Sequence, residues 1–212
     1  MQDETIITEF TQQAEAFNAS AVARDAETLD ALVRLAAPQA GERWLEAACG
    51  PGIISRNLAP RVGEVHGVDL TPAMVELARR EAAQAGLGNA TFAVGDATAL
   101  ELPTASVDGA IARFTIHHIP VPARHGGTMI GTLLSCWVGG SLRPGDADAA
   151  AWSQEIERLR DPSHWACLPL TRLRALPEQT GLKLEHEQLV AMVLDFDDSG
   201  CNAAQAGPPP VL

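Results

Sequence analysis

Four short stretches of this 212-residue chain carry side chains that could do chemistry, and their order is informative. The first is Glu46-x-x-x-Gly50-x-Gly52. It places a carboxylate ahead of two residues without side chains, where the chain can turn tightly and let a ligand lie against backbone amides at a helix start. The second is Asp69, 23 residues after Glu46, an acid placed to accept both hydroxyls of a ribose. The third is Gly95-Asp96-Ala97, whose carboxylate can accept from the exocyclic amine of a purine. The fourth is His117-His118, imidazoles able to take a proton near neutral pH. A dinucleotide site would want a third glycine so that the helix packs close behind a pyrophosphate, and Ser55 stands there instead, which disfavours a nicotinamide-dependent oxidoreductase. An acid four residues before the first glycine suits a cationic amine and not a diphosphate. The implied ligand is a nucleoside with a positive amino group and no phosphate.

Those stretches need elements that bring them to one place. Arg43 to Cys49 is a mostly apolar run that stops at Gly50-Pro51-Gly52, after which Ile53, Ile54 and Leu58 restart at helical spacing: strand, turn, helix. Glu64 to Leu70 is a second strand, and Thr71 before Pro72 is an N-cap with proline at the first helical position. That helix runs through Met74, Leu77, Ala78 and Ala82 to a stop at Gly86. A third strand spans Ala90 to Val94 and a fourth Val107 to Phe114. Alternating strands and helices imply an α/β doubly wound fold, a mostly parallel sheet with helices on both faces. All four stretches then fall at the carboxyl ends of successive strands, where open parallel sheets bind ligands.

Around this 41–124 cofactor-binding half, residues 1–40 read as an N-terminal helical cap. Ile6, Phe10, Ala14 and Phe17 share one stripe, and Asp25 starts a second helix carrying Leu29, Leu32, Val33 and Ala36. Residues 125–148 form an irregular segment whose apolar run, 129–138, is interrupted by glycine and lacks strand alternation. In the C-terminal half, 149–200, a helix is expected over about 149–160, another near 171–179, and strand from Leu182 to Phe196. Residues 201–212 read as a loose tail.

Composition bounds the partners. An apolar fraction of 46% against 20% charged is globular, and the length is one domain's worth. A net charge of −12 repels phosphate backbones and anionic lipid, so neither nucleic acid nor membrane is an expected partner. Cys49, Cys136, Cys167 and Cys201 form no C-x-x-C pair, so no metal site or disulfide framework is indicated. No basic segment leads into an apolar stretch at the N-terminus, and the expected location is cytoplasmic. Nothing in the pattern assigns an oligomeric state.

With these residues in view, the chain resembles the class I S-adenosylmethionine-dependent methyltransferases, particularly their ubiquinone/menaquinone methyltransferase-like small-molecule branch. The matching stretches are 45–52, 66–74, 94–97 and 114–118, within a continuous likeness over about 8–124. The resemblance implies a Rossmann-like methyltransferase fold with S-adenosylmethionine as cofactor. By it, Glu46 and the Gly50/Gly52 turn hold the methionine end, Asp69 with Leu70 the ribose side, and Gly95, Asp96 and Ala97 the adenine. Met74 would pack against the adenine face, Arg113 would face the sulfonium, and His117 or His118 would act on the substrate. Glu157 and His164 would line the substrate side. The implied activity is O- or C-methylation of a small, largely apolar metabolite.

Structural alternatives stand beside these roles. Asp69 and Asp96 could cap the turns that follow them, Met74 is core in either case, and adjacent histidines point to opposite sides, so at most one meets substrate. The family pattern also breaks: after the fourth strand it expects a helix, a Leu-x-Pro-Gly-Gly turn and an apolar fifth strand, but Leu142-Arg143-Pro144-Gly145 runs into Asp146-Ala147-Asp148. We read 125–146 and the tail as recoded, leaving the sheet short of its fifth and closing strands. Resequencing the source locus tests this, and a single clean reading frame would count against it. The alternative function is a cofactor-binding but non-methylating, or degraded, methyltransferase-like protein.

Overall fold

Five strands form one parallel sheet in the order β3-β2-β1-β4-β5: β1 Arg43–Ala47, β2 Glu64–Asp69, β3 Ala90–Val94, β4 Gly109–Arg113 and β5 Thr132–Ser135. This computed structural model describes residues 2–100, 102–103, 106–119, 132–135, 154–155, 158–159, 161–166, 168–179 and 182–188. The order reverses direction at β1, which pairs with β2 on one side and β4 on the other. That is where a crevice opens at the carboxyl rim of such a sheet.

Burial explains the order. Trp44, Val65 and Ile111 face one way and pack under α2 (Ala26–Ala36) and α3 (Ile53–Leu58), with Leu29, Leu32, Ile54 and Leu58. On the same face, α4 (Pro72–Gln84) sets Val75, Ala78 and Ala82 against Phe92. The alternate residues Leu45, Val68 and Ala110 turn to the other face and pack on Leu100, Leu102 and Val107. Each fully buried Val, Leu, Ile or Phe among them contributes roughly 1.5–3 kcal/mol. The first helix, α1 (Gln2–Ala19), lies on α4 through Phe10, Ala14, Phe17, Met74 and Leu77. Asp25 caps α2 as its position implies, accepting from the Thr28 amide at 2.7 Å. Thr71 does not cap α4 with its side chain; its amide instead donates to Asp69 Oδ1 at 2.9 Å.

The expected gap beside β4 is filled. β5 pairs with it in parallel, Ala110 to Thr132 through Arg113 to Ser135. β4 is buried along its whole length, so the amides and carbonyls of its outer edge need partners, and β5 supplies them. The lack of alternation in 129–138 is no evidence against a strand, because strands of parallel sheets commonly read as continuous apolar runs. Further along, residues 154–155 and 158–159 are helical, and a last helix, α5, spans Leu170–Gln179. The strand expected from Leu182 is not formed over 182–188, which have no regular structure. The rest of that strand, the irregular residues 125–131, Glu157 and the tail 201–212 lie outside the described residues.

Candidate functional site

Between β1 and α3 the chain reverses through three left-handed residues, Ala48 (φ 53°), Gly50 (φ 51°) and Gly52 (φ 73°). At Gly52 a Cβ would also come within 2.8 Å of the Phe92 ring, so conformation and space both demand glycine. Two acids hold this turn from below. Asp69 Oδ2 accepts from the Gly50 amide at 2.7 Å while its Oδ1 takes the Thr71 amide, so the end of β2 is fastened to the turn after β1. Glu46 Oε2 accepts from the Ser55 amide at 2.8 Å and from the Ser55 hydroxyl at 2.5 Å. Ser55, read from sequence only as the place of a missing glycine, therefore ties α3 to β1.

Electrostatics make this cluster unusual. Glu46 is only 3% exposed, and burial pushes its carboxyl up to about 7, against the Ser55 hydrogen bonds and the Arg113 charge. Burial raises Asp69 as well, opposed by the Thr71 and Gly50 amides and the Thr71 hydroxyl. Arg113, at the end of β4, is pushed down to about 10 by burial, with Glu46 and Asp25 as the countering charges. Its guanidinium donates to the carbonyls of Ala23 at 2.6 Å and Val22 at 3.0 Å, on the linker between α1 and α2. It also lies 4.2 Å above the ring of Phe114, a residue held at φ 54°. Among the described residues, the buried Arg113 Nε has no hydrogen-bond partner.

The structure thus brings Glu46, Gly50, Gly52, Asp69 and Arg113 into one cluster. Gly95 joins its edge, donating its amide to the Asp69 carbonyl at 2.9 Å, and Leu70 is half-buried beside it in sequence. Asp96 is exposed and caps its own turn, accepting from the Thr98 amide at 2.7 Å, with Ala97 half-buried between them. Met74 is 1% exposed in the α1–α4 seam. His117 and His118 lie on a short 3-10 turn, Ile116–His118, against residues 161–166, a contact sequence reasoning missed. The residue chemistry fits an amino-acid-bearing nucleoside: Glu46 and Asp69 suit an ammonium, and the Nε–H of Arg113 lacks an acceptor that a carboxylate would supply. Next to Gly50, the space where a Cβ would sit is bordered only by Phe17 at 4.0 Å.

Comparison with known proteins agrees. Residues 45–128 match a methyltransferase domain family. An aklanonic acid methyltransferase, DauC, of Streptomyces sp. is 37% identical over 92 residues, 42% of this chain and 42% of that protein. An uncharacterized methyltransferase of Bacillus subtilis, YcgJ, is 27% identical over 194 residues, 90% of this chain and 76% of that one. Its crystal structure matches with a TM-score of 0.66 and 28% identity, covering 73% of this chain and 67% of that chain. A 23S rRNA (uracil(1939)-C(5))-methyltransferase of Shewanella sp. shares 51% identity over 63 residues, 30% of this chain and 14% of its own length. The chain thus spans less than half of the first relative and about three quarters of the second. Fold and matched segment together define a class I methyltransferase domain. Over that segment the chain is similar to the S-adenosylmethionine-dependent methyltransferases of this class.

Proposed function

We propose that this protein transfers a methyl group from S-adenosylmethionine to a small, largely apolar metabolite through oxygen or an acidic carbon. The observation that carries this reading is the buried cluster of Glu46, Asp69 and Arg113 around the Gly50/Gly52 turn. Glu46 and Asp69 would hold the cationic amino-acid and ribose portions, Arg113 Nε the carboxylate, and the residues from Gly95 to Ala97 with Met74 the adenine side. S-adenosylmethionine supplies a methyl group on sulfur that is already a good leaving group, so the protein's work is alignment and exclusion of water. A base is needed only where the acceptor has a proton to lose, and His117 or His118 would provide it. The name of one relative, aklanonic acid methyltransferase, supports a small-molecule acceptor. The charge of −12 supports the absence of nucleic acid, and the rRNA enzyme is matched over only 14% of its length. Among the described residues no helix is long and apolar enough to cross a membrane, which is consistent with a cytoplasmic enzyme.

The degraded-protein alternative drew on the irregular 125–146 segment and on missing closing strands, and β5, formed within that segment, weakens the first of these supports. Titration calorimetry with S-adenosylmethionine and with its demethylated product tests the reading. Binding of both is expected; binding of neither sinks it.

A further inference from the structure

The buried stripe of α1 is interrupted by an amide. Phe10, Ala14 and Phe17 pack on Met74 and Leu77, and Gln13, three residues after Phe10 and four before Phe17, falls between the two rings on the same helical face. Gln13 is 6% exposed, as buried as Ala14. Among the described residues its side-chain amide makes no hydrogen bond. Burying an unbonded amide costs free energy that leucine or methionine at the same helical position would not. Packing alone does not account for a glutamine here.

Contacts at the two ends of the stripe show where this face lies. Among the described residues, only Phe17 Cε1 comes within 4.0 Å of the place where a Cβ on Gly50 would sit. Phe10 meets Phe17 edge-on with ring centroids 6.3 Å apart, and meets the His118 ring at 5.1 Å. One aromatic row thus runs along α1 from the glycine turn after β1 to the short turn after β4, with Gln13 between its members. The row is held in register with the glycine turn. Asn18, next to Phe17, accepts from Arg56 Nη2 at 3.1 Å, and Arg56 Nη1 donates to the Pro51 carbonyl inside the turn itself. From the other side of the crevice, Arg113 fastens the linker that follows α1.

We propose that Gln13 is a cofactor-contacting residue, its side-chain amide bonding the amino-acid group of S-adenosylmethionine beside a wall formed by the Phe17 ring. The inference rests on the methyl-transfer reading, which puts the methionine end of the cofactor at this turn and gives its charges to Glu46 and Arg113. An amide adds a neutral partner that donates to a carboxylate or accepts from an ammonium, so it suits a zwitterion. Gln13 makes and breaks no covalent bond. Its contribution is selectivity: a nucleoside without the amino-acid group leaves the amide unbonded, and one that carries it is favoured.

Titration calorimetry of the full chain with S-adenosylhomocysteine and with 5′-methylthioadenosine tests this, because both carry adenosine and a thioether sulfur and only the first has the amino-acid group. Gln13→Leu should weaken S-adenosylhomocysteine about tenfold or more and leave 5′-methylthioadenosine within about twofold. Its Tm should not fall, since an apolar side chain suits the stripe. Equal weakening of both ligands, the signature of a displaced α1, overturns the proposal, as does an unchanged affinity for S-adenosylhomocysteine. Gln13→Ala gives the same readout should Gln13→Leu fail to fold. Wild type that binds neither ligand fails the methyl-transfer reading and this inference with it. Wild type that binds S-adenosylhomocysteine, with variants that keep its preference over 5′-methylthioadenosine, fails this inference alone.

Discussion

The two ends of the ligand rim are built differently. On the β1–β2 side, Ser55 reaches Glu46 across 9 positions and Gly50 reaches Asp69 across 19, so the parts are near neighbours in the chain. On the β4 side, His118 meets Ser163 across 45 positions, and Arg113 meets Ala23 and Val22 across 90 and 91. The first side is a local device that any strand-turn-helix with the right residues reproduces. The second is assembled by the tertiary fold and can diverge with its substrate.

Arg113→Met should break the distant side most severely. Two buried carbonyls lose their donor at about 1–3 kcal/mol each, so urea unfolding should show a loss of roughly 3 kcal/mol; a loss under about 1 kcal/mol would mean the linker is not held this way. Asp69→Ala strikes the local side, stranding the Gly50 and Thr71 amides for about 2 kcal/mol and weakening S-adenosylmethionine binding at least tenfold, or about 1.4 kcal/mol, by calorimetry. Unchanged affinity would end the ribose assignment.

Acidity sharpens the contrast, because Glu46 belongs to the local side. Its folded value of about 7 lies above the ordinary 4.5, so the native state holds an extra proton between those limits. Stability should therefore fall as pH rises from 4.5 to about 7, by up to about 1.4 kcal/mol per pH unit from this group, and level off above. Asp69, raised in the same direction, adds to the slope lower in the acid range. Glu46→Gln should flatten the stability profile between pH 5 and 7, measured by urea unfolding at each pH, and binding of the cationic cofactor should tighten from pH 6 to 8 in wild type alone. Asp96→Ala should be the mildest change, within about 0.5 kcal/mol in thermal unfolding, since that side chain is exposed and holds only the Thr98 amide.

This division also explains what could be read from residues alone. The Asp25 cap, the glycine reversal and the third strand, Ala90–Val94, are set by neighbours a few positions away, and periodicity and turn chemistry reach that far. Arg113 looks like a cofactor contact from its place after β4, but its two carbonyl partners sit in a linker with no motif. Asp161-Pro162-Ser163 reads as a helix stop, and nothing in its spacing points to His118. β5 escaped because a four-residue strand between glycines is too short to carry a period of its own. Ser55 was visible but weighed as an absence of glycine, when its amide and hydroxyl are what Glu46 needs.

The grip of Arg113 on Val22 and Ala23 bears on how small this unit can be made. A version trimmed to the family-matched span, 45–128, would delete both carbonyls and Asp25 and strip the guanidinium of the two acceptors that hold it in place. The opening helices are thus part of the molecule's interior wiring, and shortening the chain from its amino end should be felt first at the far rim of the sheet.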